Sequence, residues 1–415
     1  MAKIDIEPIA AWLLQDGRLL ADAPHCVGEL AKRIVGAGIP IARMNWHLPE
    51  LHPEIISRTV EWTAEAVASE NRDFRVSMAR GIEYFQPNLR IIEIRRPREQ
   101  RVSLTYHHSP IAFVYRSNES LRRRLVGPDA ELDFPLLEEL VAKGFTDYLL
   151  LPMRFGVGGD KPGAVGFAVR REEGFGDEHL AALSALRPAI NAVAEAFYGR
   201  KSLLNVLDVY VGHTAGERIM QGQVTLGTGR TMRAAIWYSD LRGFTELSET
   251  MGRDNILNLL NAYFACQIPG IRENGGEILK FMGDGVLAVF RTDDESSEGA
   301  CRAAFAAAEA ASRELERYNG ERVIAGSFPL NGGIALHYGD VTFGNIGAED
   351  RLDFTVIGPA VNLAARIEGL CSALTRPLLM SEDFARLCGA ETERLGQFAL
   401  KGMAGERVVY GVRAA

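Results

Sequence analysis

The sequence predicts a mixed α/β protein built from two or three domains. Its 415 residues are more than one ordinary domain needs. In the second half, apolar strand-like segments such as AAIWYSD (234–240) alternate with helix-like segments such as the Ala-rich stretch 299–319. Alternation of this kind is typical of α/β layer sandwiches.

Composition narrows the classes of function. Apolar residues make up 47% and the net charge is −8, which argues against a broad nucleic-acid surface. No apolar run approaches the roughly 18 residues that span a bilayer, and the acidic N-terminus lacks the basic start of a signal peptide. The scattered cysteines predict reduced thiols in a cytoplasmic protein. They are Cys26, Cys266, Cys301, Cys371 and Cys388.

Residues 1–180 mix helix and strand patterns. We expect helices at LAKRIVGAG (30–38) and TVEWTAEAVASE (59–70). Strands are expected at RIIEIRR (90–96), IAFVYRS (111–117), DYLLLPMRFGV (147–157) and GAVGFAVRREE (163–173). The last two read as a hairpin that leads into a helix at 175–197. That order resembles the end of a GAF-type sensor domain and implies a regulatory role for residues 1–180, with a small molecule as one candidate input.

His107 and His108 stand side by side in YHHSP. A histidine pair in a loop is more often surface or packing than a metal or haem site. We therefore expect both rings to lie at the surface.

Residues 181–233 read as a helical connector with a transducer segment. Apolar residues recur there at heptad spacing, which favours a parallel coiled coil between two chains; the alternative is a helix packed on its own domain. Pro188 and Gly199 interrupt the pattern. The positions are Leu183, Leu186, Ile190, Val193, Phe197, Leu204, Leu207 and Val211.

Two carboxylates stand where strands end in residues 234–415. Asp240 closes AAIWYSD, and Asp284 lies at the tip of the expected hairpin GEILKFMGDGVLAVF (276–290). Such a pair can hold divalent cations together with substrate phosphates. Gly243 leaves backbone N–H groups accessible at the start of the next helix, as phosphate binding requires. The alternative for each aspartate is an ordinary turn residue.

Four motifs occur in one order: DLRGFTELSE, KFMGDGVLAVF, DFTVIGPAVNLAARIE and LKG. The set resembles the catalytic domain of class III nucleotidyl cyclases from about Ala234 to Val412. The resemblance implies a ferredoxin-like palm-type fold and Mg²⁺ or Mn²⁺, two ions per active site. Asp240 and Asp284 match the metal pair, and the Leu241 carbonyl is a further candidate ligand.

The same resemblance implies roles for the remaining site residues. Gly243, Phe244 and Thr245 match a phosphate-binding turn. Lys280 and Thr355 match the base-reading positions, while Asp353 is expected to cap or pack locally. Guanylate enzymes carry an acidic residue in place of the lysine, and lysine can only donate, so Lys280 favours ATP over GTP. Many relatives carry Asp where Thr355 stands, and threonine is the variant of a bacterial subgroup.

Three more residues complete the matched set. Asn362 matches the ribose-positioning residue and Arg366 the one that stabilises charge on the transferring phosphoryl group. They lie four apart and should share a helix face. Lys401 matches the triphosphate-binding lysine. Read singly, each is more often a solvated polar residue at the surface.

The resemblance implies an adenylate cyclase that acts as a head-to-tail homodimer with two shared sites. Three alternatives stay open: a guanylate cyclase, a catalytically silent nucleotide-binding module, and a diguanylate cyclase. The last rests on GGEIL (275–279), which lacks the second acidic residue of the diguanylate cyclase signature.

Overall fold

The structure is a computed structural model. It describes residues 4–64, 74–77, 81–86, 91–98, 104–223, 225, 229–292, 296–348 and 351–413. The chain divides into two compact units, Met1–Val206 and Leu207–Ala415.

The N-terminal unit contains six helices and eight strands within its described residues. The helices are α1 (Glu7–Gln15), α2 (Ala23–Gly36), α3 (Leu104–His107), α4 (Pro110–Ser117), α5 (Pro135–Ala142) and α6 (Asp177–Tyr210), the last of which runs past the end of the unit. The strands are β1 (Arg43–Pro49), β2 (Ile55–Thr63), β3 (Phe74–Ser77), β4 (Gly81–Gln86), β5 (Ile91–Pro97), β6 (Leu121–Arg124), β7 (Asp147–Phe155) and β8 (Lys161–Val169).

The eight strands form one antiparallel sheet in the order β3-β4-β5-β2-β1-β8-β7-β6. β1 therefore lies near the centre of the sheet. The expected helix at 30–38 is part of α2, whose first turn is capped by the Asp22 carboxylate. The expected hairpin is β7–β8, and α6 follows it.

Two assignments in this unit were wrong. Residues 59–63 belong to strand β2 rather than to a helix, because this β-branched segment pairs on both sides within the sheet; residues 65–70 of that expected helix lie outside the described residues. Residues 111–117 form helix α4 rather than a strand. Ser109 caps its first turn by accepting from Ala112 N–H, and Pro110 occupies the first turn. His107 and His108 are exposed, as expected.

The expected coiled-coil seam is wrong for the first half of helix α6. Its heptad residues are buried in the core of the N-terminal unit, against α1, α2 and the sheet, so they cannot form a seam with a second chain. The affected residues are Leu183, Leu186, Ile190, Val193 and Phe197. The alternative of a helix packed on its own domain is what the structure shows for this stretch.

Helix α6 is also the one helix in the described part of the chain that is long and apolar enough to cross a membrane by length and composition. We did not expect such an apolar run from the sequence. Many of its apolar residues belong to the core of the N-terminal unit. A buried core helix passes the same test, so the finding is weak support for a membrane span.

The C-terminal unit continues the numbering. Its helices are α7 (His213–Met220), α8 (Phe244–Thr250), α9 (Arg253–Glu273), α10 (Ser297–Ile324), α11 (Pro359–Glu368), α12 (Leu370–Ala373) and α13 (Glu382–Leu387). Its strands are β9 (Gly229–Leu241), β10 (Glu277–Met282), β11 (Gly285–Arg291), β12 (Gly332–Ala348), β13 (Arg351–Ile357), β14 (Leu378–Ser381), β15 (Thr392–Ala399) and β16 (Glu406–Val412).

These strands form a sheet in the order β10-β11-β9-β12-β14-β16-β15, with β13 paired to β12. All pairs are antiparallel except β12–β14. Helices cover both faces: Ala235 and Trp237 of β9 pack with α10, and Ala234 and Ile236 pack with α7 and α11. The apolar run AAIW is therefore buried on both sides, and the mixed α/β fold expected for this part is confirmed.

The hairpin expected at 276–290 is present. Met282 pairs with Gly285 across a turn of Gly283 and Asp284, and Gly283 has φ +67°. The long strand β12 pairs with β9 from Gly332 to Gly344 without interruption. Glycine at 339 allows this close packing: a Cβ there would lie 2.8 Å from Nε2 of His337.

Candidate active site

Asp240 and Asp284 lie together at one edge of the C-terminal sheet. β11 pairs with β9 so that Val286 faces Ser239, which places the hairpin tip beside the end of β9. The two carboxyl groups are close enough to share a hydrogen bond. Burial, followed by the neighbouring Asp284 charge, raises the pKa of Asp240 to about 7. The structure thus brings together the two carboxylates that the sequence analysis singled out.

The backbone around Asp240 is held in place by close packing. A Cβ on Gly285 would lie 2.6 Å from the Ser239 carbonyl oxygen and 3.3 Å from Asp240 Oδ1, so only glycine permits this approach. The hydroxyl of buried Tyr263, on α9, donates to the Asp240 carbonyl oxygen at 3.0 Å. Both contacts fix the backbone at the end of β9, and with it the position of the Asp240 side chain.

Glu368 is an acidic neighbour that the sequence analysis missed. A Cβ on Gly333 would lie 2.2 Å from Glu368 Oε1, and Gly333 pairs with Asp240 across β9 and β12. The Glu368 charge adds to the rise in the Asp240 pKa, and burial raises the pKa of Glu368 itself. One sequence signal could have pointed to Glu368. Gly333 lies opposite Asp240, and a glycine at such a position indicates that another side chain occupies the space of its Cβ.

The donor set fits a divalent cation that substrate phosphates complete. Mg²⁺ takes one or two carboxylates plus phosphate oxygens, and two crowded carboxylates that repel each other lose that repulsion when a cation binds. Within the described ranges no group of three His, Cys, Asp or Glu side chains has the arrangement of a metal site. Asp240 and Asp284 are the carboxylates that could hold such an ion, with the charge of Glu368 close by.

The turn after Asp240 has the expected form. Gly243 takes a left-handed φ of +72°, and α8 starts at the next residue. Leu247 N–H donates to the Gly243 carbonyl at 3.1 Å. The N–H groups of Phe244 and Thr245 thus belong to the first helical turn directly behind the carboxylate pair, and the side chain of Leu241 is buried.

Lys280 contacts Asp353, a residue that we expected to cap or pack locally. Its ammonium group forms an ion pair with the Asp353 carboxylate, and both side chains are about half exposed. A bulge in β10 between Ile278 and Lys280 sets the direction of the lysine. Thr355 lies two residues along β13 from Asp353 and so shares its face. The expectation that Asp353 caps or packs locally was wrong.

Asn362 and Arg366 share the exposed face of α11. Ala364 and Ile367 are buried on the opposite side of the same helix, which confirms the expected spacing. Within the described part of the chain, neither Asn362 nor Arg366 has a side-chain hydrogen bond or an ion pair. Lys401 is exposed in the turn between β15 and β16. These three polar groups are accessible in the single chain.

Comparison with known proteins agrees with this geometry. Residues 228–413 match the family model described as the adenylate and guanylate cyclase catalytic domain. An adenylate cyclase of Anabaena cylindrica is 38% identical over 167 residues, which make up 39% of this chain and 32% of that protein. The present chain thus spans about a third of that relative's length.

Two solved structures are also similar. The adenylyl cyclase CyaB from P. aeruginosa is 29% identical and covers 45% of this chain and 97% of its own, with a TM-score of 0.42. The guanylyl cyclase Cya2 is 32% identical and covers 44% of this chain and 93% of its own, with a TM-score of 0.40. By the family match and the Anabaena relative, residues 228–413 are similar to the catalytic domain of adenylate and guanylate cyclases.

Proposed function

We propose that this protein is an adenylate cyclase that converts ATP to 3′,5′-cyclic AMP and pyrophosphate. The observation that carries the proposal is the half-buried pair of Asp240 and Asp284 at the end of β9. The name of the Anabaena relative supports ATP as substrate. So does Lys280, since an ammonium group only donates and can reach a ring nitrogen of adenine.

In the reaction the ribose 3′-oxygen attacks the α-phosphorus, and the bond to the β-phosphate breaks in line with it. Two Mg²⁺ or Mn²⁺ ions at Asp240 and Asp284, with the Leu241 carbonyl as a further ligand, would acidify the 3′-hydroxyl and neutralise the leaving pyrophosphate. Asn362 would hold the ribose. Arg366 would stabilise the charge on the phosphoryl oxygens.

The remaining polar groups would bind the rest of the nucleotide. The N–H groups after Gly243 and the Lys401 ammonium would hold phosphate oxygens. Lys280, Asp353 and Thr355 would face the adenine edge. The protein's contribution is therefore mainly position and preorganised charge.

We further propose a homodimer with two shared sites. The exposed, unpaired state of Asn362 and Arg366 supports this, because a second chain could receive them beside its own Asp240 and Asp284. The N-terminal unit, which we propose is a GAF-like regulatory domain, would then set the activity of the pair. Five buried free thiols suit a cytoplasmic protein.

The diguanylate cyclase alternative rests on the GGEIL motif, and its glutamate, Glu277, makes structural contacts. The Glu277 carboxylate accepts from Thr214 N–H at 3.1 Å and lies 3.9 Å from the Arg291 guanidinium. A guanylate cyclase and a silent module stay open and are decided by the same assay.

The deciding assay is product formation from ATP and from GTP, each with Mg²⁺ or Mn²⁺, on the full chain and on residues 201–415. Cyclic AMP from ATP alone is the expected result. Cyclic GMP as the main product would replace the proposal with a guanylate cyclase. Nucleotide binding without product in either protein would show a silent module. The ratio of the two rates gives the sign of N-terminal control.

A further inference from the structure

One face of the central strand β1 is polar and buried. Arg43, Asn45 and His47 alternate along it, at 8%, 0% and 4% exposure. We call these three side chains the polar face of β1. The intervening residues Met44 and Trp46 point to the other side, into the core formed with α1, α2 and α6. A central strand rarely buries polar groups unless they find partners.

The polar face leaves hydrogen-bonding atoms without partners. Among the described residues no hydrogen bond satisfies Asn45 Oδ1 and Nδ2 or His47 Nε2, while Arg43 Nη1 lies near the buried Tyr148 hydroxyl without a well-formed hydrogen bond. A buried donor or acceptor without a hydrogen bond lowers the stability of the fold. Two further atoms have partners: Arg43 Nη2 donates to Glu61 at 2.5 Å, and His47 Nδ1 lies 2.8 Å from Thr59 Oγ1.

The neighbouring strand β8 carries only small residues opposite this face. The residues of β8 directly opposite are Ala164, Gly166 and Ala168, all of them small. A Cβ on Gly166 would lie 2.3 Å from Asn45 Oδ1. Ala164 and Ala168 share a hydrophobic cluster with Val114 of α4, so α4 covers this side of the sheet. The atoms of the polar face that lack a hydrogen bond thus lie between the sheet and α4, inside the N-terminal unit.

Most of the polar-face atoms that lack a hydrogen bond are hydrogen-bond donors. Thr59 Oγ1 accepts from Arg96 Nη1 at 2.5 Å and lies 2.8 Å from His47 Nδ1. When the threonine proton points to Nδ1, the imidazole proton lies on Nε2, which is then a donor. Burial, with Arg96 and Arg43 nearby, holds the pKa of His47 well below its ordinary value, so the ring is neutral. Arg43, Asn45 and His47 then offer donors, with one carbonyl acceptor on Asn45.

We propose that the polar face of β1 binds a small organic carboxylate. Its oxygens would accept from Arg43, Asn45 and His47, and a polar hydrogen would reach Asn45 Oδ1. Alternate residues of a strand are about 7 Å apart, so the three side chains span about 13 Å, which suits a molecule of metabolite size. This site lies outside the cyclase domain, and its test does not depend on cyclase activity.

The test compares two asparagine-to-leucine variants of the full chain. Asn45→Leu removes the orphaned amide, so the ligand-free protein should be as stable as the wild type or more stable. Asn191→Leu is the matched control, because the Asn191 amide is satisfied by Arg154 N–H and carbonyl at 2.8 and 3.0 Å. This variant should lower the unfolding temperature and keep ligand binding. If the Asn45→Leu protein does not fold, the Asn45→Ala variant is used in its place.

Binding is measured by calorimetry and thermal shift with acetate, succinate, 2-oxoglutarate and benzoate. Native mass spectrometry shows any molecule that stays bound through purification. We expect at least one carboxylate to bind the wild type, and at least tenfold more weakly to bind Asn45→Leu. No probe binding and no retained molecule would overturn the proposal. A retained molecule without a carboxylate would overturn the ligand class.

Discussion

Lys280 of β10 forms an ion pair with Asp353, which lies 73 residues further along the chain on β13, a strand that pairs with β12. The pair orients the lysine before any nucleotide binds. Because Thr355 shares the face of Asp353, a base would meet a donor, an acceptor and a hydroxyl group together. This arrangement makes Asp353 a positioning residue for the proposed base-reading site.

Replacing Asp353 should therefore alter nucleotide preference more than stability. Asp353→Asn should lower kcat/KM for ATP about tenfold, the equivalent of roughly 1.4 kcal/mol, and should change kcat/KM for GTP much less. The unfolding temperature should hardly move, because an exposed ion pair contributes little to stability. Lys280→Glu should reverse the preference towards GTP. An unchanged ATP-to-GTP ratio in Asp353→Asn would show that the pair has no part in base reading.

The Asp240 and Asp284 pair should show itself through metal binding. Mn²⁺ should raise the unfolding temperature of the wild type, because a ligand that binds only the folded state stabilises it. Asp240→Asn should lose that rise and lower activity by about a thousandfold or more. Without metal, the variant should be no less stable than the wild type, since a crowded buried charge is removed. A full Mn²⁺ shift in the variant would place the ion elsewhere.

The shared-site arrangement predicts rescue on mixing. Asp284→Ala and Arg366→Ala should each be inactive alone, because each lacks one half of both sites. In a heterodimer of the two variants one site is complete, so a mixture should recover up to about a quarter of wild-type activity when the chains associate at random. Absence of rescue, with heterodimers shown by mass spectrometry, would contradict shared sites.

Gly285 should be irreplaceable although it carries no chemistry. Gly285→Ala places a methyl group 2.6 Å from the Ser239 carbonyl, which must push β11 away from β9. We expect a loss of about 1–3 kcal/mol in stability and a large loss of activity. Gly252→Ala is the control, since a Cβ there meets nothing within 4 Å and its φ of −65° suits alanine. Equal behaviour of the two variants would contradict the close approach.

His337 should make the C-terminal unit sensitive to acid. Burial lowers its pKa from 6.5 to about 4, and Nδ1 lies 2.7 Å from Ser381 Oγ. Between pH 6.5 and 4 the unfolded chain binds a proton that the folded chain does not, so stability is complete above pH 6.5 and falls as the pH drops. The loss should reach about 2 kcal/mol by pH 5.

Hydrogen exchange of β12 amides, corrected for intrinsic rates, measures this loss. His337→Gln should flatten the dependence between pH 6.5 and 5, because its amide does not titrate. A dependence as steep as that of the wild type would assign the acid sensitivity to other groups.

The sequence alone determined the chemistry of the candidate site. Asp240, Asp284, Lys280, Asn362 and Arg366 stand in motifs whose spacing is local, and a strand end, a hairpin tip or a helix face follows from a few neighbouring residues. The hairpin, the start of α8 and the common face of Asn362 and Arg366 all appeared where the pattern placed them.

Only the tertiary structure decided what depends on partners far away in the chain. The apolar stripe from Leu183 to Phe197 fits a dimer seam as well as a core helix, and its burial in the N-terminal unit made the choice. Asp353 contacts Lys280, and Glu368 lies near Asp240, because the tertiary fold brings together elements that are far apart in the chain. Residues 111–117 became a helix because Ser109 and Pro110 initiate one, although their composition favours a strand. Periodicity records which faces are apolar, whereas sheet order and register determine what those faces meet.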